Sequence, residues 1–231
     1  MCQLIIQSIK GTKPKIHVVS VDEKTGIQAL SRLEQRAPYS QGLQKRKEFE
    51  YSRNGTTCLI GAFDVAKGKL VHENIQPTRT EADFCNFTKQ VIHKYPQGDE
   101  IIFLADQLNI HLSESLVRLV ATLINFEGDL GKKRRSGILF DKKSRMAFLE
   151  NPNHRIRFVY TPKHCSWLNP IENWFAKLQR HVIKNGNFSS VKELENKIKQ
   201  YIIYYNKCLA KPLNWKFKGF SKEKPILYKR C

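Results

Sequence analysis

Three carboxylates stand at the borders of regular segments: Asp22 in IHVVSVDEKTGIQAL, Asp106 in EIIFLADQLNIH and Glu172 in TPKHCSWLNPIENWF. The first two close apolar, β-branched runs that read as buried strands, and the third opens an amphipathic helix. A carboxylate at such a half-buried position is unfavourable without a compensating cation. That cation is either a basic side chain, plentiful in this chain, or a pair of divalent metal ions working on a phosphodiester. In a sheet with parallel strands, ligands gather outside the strand carboxyl ends. Neighbouring central strands would set Asp22 and Asp106 side by side, and a hard cation would relieve their repulsion. Mg2+ is commonly held by one or two carboxylates plus substrate phosphate, and a third carboxylate allows a second ion suited to in-line attack at phosphorus. Each acid also has a plainer reading. An Asp at a strand end forms turns, and Glu172 complements a helix dipole. Asp64, Glu81, Asp83 and Asp99 compete, but in turn or helix-cap contexts. His164 and Cys165 are a poor thiol–imidazole pair, because adjacent residues rarely face each other.

The elements that must position these acids follow from periodicity. Residues 16–22 form a strand ending at Asp22, and the polar stretch from Ser31 to Lys47 reads as a loop. FEYSR, TTCLIGAFDV and GKLVHENI, parted by Asn54-Gly55 and Lys67-Gly68, predict two or three antiparallel strands joined by hairpin turns. Thr80 and Asp83 suggest a capping box ahead of a helix carrying Phe84, Phe87, Val91 and Ile92, ended by Pro96 and Gly98. IIFLAD is a strand, ESLVRLVATLINF a helix behind Ser113, and IRFVYTP a strand stopped by Pro162. Ile171, Trp174, Phe175, Leu178 and Val182 share a helical face, and a last helix starts at Ser190 with Glu193 in capping-box position. The order predicts an α/β fold, a mixed sheet covered by helices. Residues 1–15 read as an N-terminal extension, 16–208 as one domain and 209–231 as a basic tail. A basic insertion over about residues 125–155 carries one short helix near 141–150.

The chain has 231 residues, 40 Lys and Arg against 21 Asp and Glu, and a net charge of +19. A hydrophobic share of 41% provides an ordinary core, so disorder does not explain the charge. The excess instead predicts a polyanionic partner, nucleic acid first. Six scattered cysteines (Cys2, Cys58, Cys85, Cys165, Cys208, Cys231) include no C-x-x-C pair, which argues against structural zinc and a disulfide framework. No apolar run approaches the ~20 residues of a membrane span, and no signal peptide is evident; a cytoplasmic protein is expected, with no membrane partner.

VDEKTGIQAL, PTRTEADF, DQLNIHLSESLVRLV and TPKHCSWLNPIENWFAKLQRHVIKNGNFSSVKEL resemble blocks of bacterial insertion-sequence transposases of the mariner superfamily, the DDE superfamily endonucleases. The likeness runs from about Ile16 to about Gly219. It implies a ribonuclease-H-like, integrase-type fold with Asp22, Asp106 and Glu172 as catalytic metal ligands. It further implies two Mg2+ or Mn2+ ions, nicking at terminal inverted repeats, and attack of the freed 3′-hydroxyl on target DNA at a TA dinucleotide. The expected partners are transposon-end and target DNA, bound by a homodimer at the bacterial nucleoid. Glu172 lies 66 positions after Asp106, more than members usually have, and the basic insertion accounts for the excess. Members also usually carry an N-terminal helix-turn-helix region, so this chain reads as a truncated copy or the second product of a split frame. The rival expectations are a ribonuclease-H-like nuclease without strand transfer and an inactive DNA-binding remnant.

Supporting residues are read from proximity. Lys24 follows Asp22. Asn109 and His111 follow Asp106 and could hydrogen-bond a metal ligand or the scissile phosphate, or merely shape a loop. His164, Trp167 and Asn169 precede Glu172; Trp167 is read as a core plug, with stacking on a displaced base as the alternative. Lys132, Lys133, Arg134 and Arg135 form the densest basic cluster, suited to sequence-independent phosphate contact, with a solvated loop as the plainer reading.

Overall fold

The computed structural model describes residues 1–11, 15–32 and 50–219; the loop expected from Ser31 to Lys47 and the end of the basic tail lie mostly outside them. The centre is a five-stranded sheet of β1 (Ile16–Ser31), β2 (Ser52–Asp64), β3 (Lys69–Gln76), β4 (Glu100–Ala105) and β5 (Ile156–Tyr160), in the spatial order β3-β2-β1-β4-β5. β1, β4 and β5 are parallel, and the β1–β2 and β2–β3 pairs are antiparallel. The helices are α1 (Cys2–Ile9), α2 (Glu81–Ile92), α3 (Glu114–Leu123), α4 (Lys142–Leu149), α5 (Ile171–Leu178) and α6 (Val191–Tyr204).

Alternation along the strands supplies two apolar faces. Val19, Val21, Phe103, Ala105 and Phe158 meet Phe84 and Phe87 of α2, Leu116 and Val120 of α3, and Phe148 of α4. On the other face, Leu59, Phe63 and Leu70 meet Ile171, Trp174 and Phe175 of α5 and Leu194 and Ile198 of α6. Val18, Ile102 and Leu104 on that face are closed by Ile5 of α1, so the N-terminal residues pack on the sheet. A Cβ on Gly61 would stand 2.9 Å from Ile171 Cδ1, so glycine there lets α5 settle close onto β2.

The α2 capping box is present, with Asp83 N–H donating to Thr80 Oγ1 and Thr80 N–H donating to Asp83. Three local expectations are corrected. β1 does not stop at Asp22 but runs nine residues further, because β2 pairs with it antiparallel from Asp22↔Gly61 to Ser31↔Ser52. Asn54-Gly55 is not a turn: β2 passes straight through it, and Asn54 Nδ2 donates to Ser31 Oγ and the Phe188 carbonyl. Glu193 does not complete a box with Ser190; its carboxylate takes the N–H and Oγ of Ser189, while Ser190 caps the Glu193 N–H.

Candidate active site at the end of the central strands

The β1–β4 ladder pairs Ile16 with Glu100 and ends at Ser20↔Leu104. Two residues further along each chain, in the same register, come Asp22 and Asp106. β4 has ended there, while β1 continues along β2 alone. Adjacent strands lie about 4.8 Å apart, so the shared register brings the two acids to the same end of the sheet as neighbours.

Asp22 is 7% exposed. Its Oδ1 accepts the Glu23 N–H at 2.8 Å and its Oδ2 accepts Asn169 Nδ2 at 3.1 Å. Burial pushes its carboxyl up to about 7; the Glu23 N–H opposes this, and the charges of Glu23 and Asp106 add to it. Asn169, fully buried, ties the α5 approach to β1: Nδ2 also donates to the Val21 carbonyl at 3.0 Å, and Oδ1 accepts Ser20 Oγ. Ser20 Oγ in turn accepts the Ile171 N–H at 2.8 Å, which fixes the first residue of α5 against β1. Glu172 follows directly. Burial raises its carboxyl, Lys24 opposes that, and the charge of Asp106 raises it further. The three acids therefore share one electrostatic environment, with Asp106 common to both interactions.

Asp106 behaves differently. Burial would raise its carboxyl, but the hydrogen bond and charge of His111 outweigh this and hold it below the usual carboxylate range. His111 is fully buried, with Nδ1 2.7 Å from Asp106 Oδ1 and Nε2 2.8 Å from Glu23 Oε1. Leu108 N–H also donates to Asp106 Oδ1, so both contacts fall on one oxygen. Glu23 was not singled out from sequence. It follows Asp22 on β1, so strand alternation turns it to the opposite face of the sheet, where a carboxylate demands a partner. Ser20 and Arg79 were missed as well.

Asn109 turns to α4 rather than to the acids; its Oδ1 accepts Lys142 Nζ at 3.3 Å, and the same ammonium donates to the Gln107 carbonyl, docking α4 against the loop after Asp106. His164, at φ +61°, lines a recess of about 340 Å³ that also includes Asp106 and Lys163. Trp167 is 51% exposed, which corrects the core reading, and its ring meets Phe217 edge-on at 5.2 Å. Lys132–Arg135 form an exposed tight hairpin closed by the Lys132–Ser136 bridge, with Arg134 at φ +63°. The five described cysteines are free thiols, and no helix among the described residues is long and apolar enough to cross a membrane.

The donor set suits a hard divalent cation: three carboxylates, two of them raised by burial and mutual charge, with no thiol among them. Among the described residues, no three His, Cys, Asp or Glu side chains are gathered into a ready-made metal cage. Mg2+ does not require one, since it keeps waters and is commonly completed by substrate phosphate.

Comparison with known proteins agrees with this architecture. The family described as DDE superfamily endonuclease matches residues 17–195, and the integrase core domain matches residues 172–221. Similar solved structures include a Mos1 mariner paired-end complex with Mn, at 14% identity and a TM-score of 0.54, covering 87% of this chain and 52% of that one. A pre-cleavage Mos1 transpososome follows at 13% identity and a TM-score of 0.55, covering 87% and 53%. The catalytic domain of Mos1 mariner transposase gives 13% identity and a TM-score of 0.50, covering 87% and 77%. This chain thus spans about half the length of the Mos1 chains in those complexes. No curated protein matches. At these identities the likeness is one of fold, and the mixed five-stranded sheet flanked by helices is ribonuclease-H-like. With 179 of 231 residues inside the family match, the chain belongs to the DDE superfamily endonucleases.

Proposed function

We propose that this chain is the catalytic domain of a bacterial insertion-sequence transposase, cleaving DNA at transposon ends and joining the freed 3′ end to target DNA. The observation carrying this reading is the shared register of Asp22 and Asp106 beyond the last β1–β4 pair, with Glu172 close enough for Asp106 to raise it. Asp22, Asp106 and Glu172 would hold Mg2+ or Mn2+; two such ions, when bound, activate the attacking oxygen and stabilise the leaving one. Asn169 and Ser20 hold Asp22 and the start of α5 in a fixed relation. His111 and the Leu108 N–H occupy Oδ1 of Asp106, so this carboxylate would turn its other oxygen to a bound ion. Lys24, beside Glu172, and His164, in the recess beside Asp106, are suited to the scissile phosphate and its neighbour. The Lys132–Arg135 hairpin reaches flanking phosphates, and Trp167 presents an exposed ring on which an unpaired base can stack. Asn109 supports the site through Lys142 rather than through DNA. Transposon-end DNA, target DNA and a second copy of the chain are the partners of this reading.

The test is a strand-transfer assay. A labelled oligonucleotide carrying the inverted repeat that flanks the coding sequence is incubated with plasmid and Mg2+ or Mn2+. Joined product that disappears in Asp22→Asn, Asp106→Asn and Glu172→Gln supports the proposal. Cutting without joining identifies a nuclease, and DNA binding without metal-dependent cleavage identifies a remnant.

A further inference from the structure

Backbone pairing delivers Asp22 and Asp106 to the same end of the sheet but does not itself hold their carboxyl groups at a fixed separation. The ladder that would do so ends at Ser20↔Leu104, and β4 itself ends at Ala105. What crosses the gap instead is a chain of buried side chains. Glu23, with a side chain 1% exposed, reaches from β1 to His111 Nε2 at 2.8 Å; His111 Nδ1 reaches Asp106 Oδ1 at 2.7 Å. Both ring nitrogens face carboxylate oxygens, so the imidazole is clamped from both sides. The ring is held in place by Phe84 at 4.4 Å between centroids, and the His111 carbonyl accepts Tyr160 Oη at 2.7 Å. Behind Glu23, Arg79 Nη1 lies 3.6 Å from Oε2, tying the segment before α2 into the same chain.

We infer that Glu23 and His111, with Arg79 behind them, are positioning residues that fix the Asp106 carboxyl relative to Asp22 and so set the geometry of the metal-binding oxygens. Strand alternation makes this arrangement economical. Asp22 faces α5, its neighbour Glu23 faces α2 and α3, and one strand segment thereby both presents the first acid and anchors the second. A two-carboxylate clamp also holds the ring against rotation, which a single hydrogen bond to Asp106 would not. Residues behind metal ligands typically change metal affinity by about 10- to 100-fold when removed.

The inference rests on the proposed metal-binding role of the acids, and the experiment separates the two. Mn2+ is titrated into the whole purified chain without DNA, and free ion is read by electron paramagnetic resonance; unfolding in metal-free buffer verifies that each variant is folded. Glu23→Ala and His111→Ala are expected to weaken Mn2+ binding by about 10- to 100-fold. Glu23→Gln, which keeps an acceptor for His111, is expected to restore affinity to near the unsubstituted level. DNA cleavage by Glu23→Ala should recover as Mn2+ is raised, since the defect lies in affinity. Should Glu23→Ala not fold, Glu23→Asp shortens the bridge by one methylene, keeps the charge and reads the same quantity. Folded variants that bind Mn2+ like the unsubstituted chain would reduce the bridge to a structural ion pair and overturn the inference alone. An unsubstituted chain that binds no Mn2+, either alone or with transposon-end DNA added to supply the phosphate, overturns the metal reading and this inference together.

Discussion

The buried carboxyl of Asp22 makes a counter-intuitive prediction: Asp22→Asn should abolish cleavage yet stabilise the metal-free protein in alkaline buffer. The carboxyl titrates at about 7 in the folded chain against an ordinary value of 3.8. Because the folded pKa is the higher one, folding takes up a proton between these values. Stability is therefore intact below about pH 4 and is lost progressively as the pH rises to about 7. At 1.36 kcal/mol per unit, the full loss above pH 7 is about 4 kcal/mol, and at pH 5 it is about 1.5 kcal/mol. Asparagine never ionises and escapes this cost. It does lose one hydrogen bond, because its amide cannot accept both the Glu23 N–H and Asn169 Nδ2, and Asn169 cannot flip while it serves Ser20 and Val21. That loss is about 1 kcal/mol. The net gain is about 3 kcal/mol at pH 8 and close to zero at pH 5, or roughly 6–12 °C in Tm at pH 8 for a chain of this size. Other titrating groups are common to both proteins and largely cancel. Thermal unfolding at the two pH values measures the difference. Saturating Mn2+ at about 100 times its Kd should then raise the unsubstituted protein by about 2.7 kcal/mol at pH 8 and leave the variant unmoved. A variant destabilised equally at pH 5 and pH 8 would refute the electrostatic account of Asp22.

Two further outcomes follow from the same geometry. Asn169→Ala leaves the Val21 carbonyl and Ser20 Oγ without their buried partner, so denaturant unfolding should show a loss of about 2–4 kcal/mol, whereas Lys24→Ala on the same strand should cost far less. Replacing Lys132, Lys133, Arg134 and Arg135 together by alanine should leave the circular dichroism spectrum unchanged. It should also flatten the plot of log affinity for duplex DNA against log salt by up to about 3.6, roughly 0.9 for each phosphate no longer neutralised; an unchanged slope would remove the hairpin from the interface.

The fold was legible where one period dominated. IIFLA and IRFVY have no extended polar interruption, and each proved a parallel strand packed into the core. α2 and α6 announced themselves through a capping residue ahead of an apolar stripe. Failures occurred where tertiary partners overrode local signals. DEKTGIQALS looks like the end of a strand because it is polar and holds Gly26, at φ +62°, yet β2 pairs with it on both sides of a register shift between Lys24 and Ile27. Asn-Gly is the strongest short hairpin signal, but Asn54 is drawn into bonds with Ser31 and Phe188, and a Cβ on Gly55 would lie 2.7 Å from Val191, where α6 begins. Neither partner is near in sequence, so no local pattern could have revealed them.

The three candidate acids could be singled out because each sits in an unfavourable context, which is visible one segment at a time. Their supports were harder to see, since a support is defined by what it touches. Asn169 and His111 were found only through closeness in sequence to Glu172 and Asp106. Glu23 could have been found by physics alone. Asp22 must face the site, so its neighbour must point through the sheet into an apolar face, where a carboxylate needs a cation. His111, five residues beyond Asp106, falls where α2 and α3 cover that face. The same reasoning explains why one helix start and two strands suffice to bring the candidate acids to one end of the sheet. Asp22 serves one face and Glu23 the other, and Asn169 with Ser20 locks α5 to the strand carrying both. The site is thus organised about β1, and loosening β1 from either face should disturb all three acids at once.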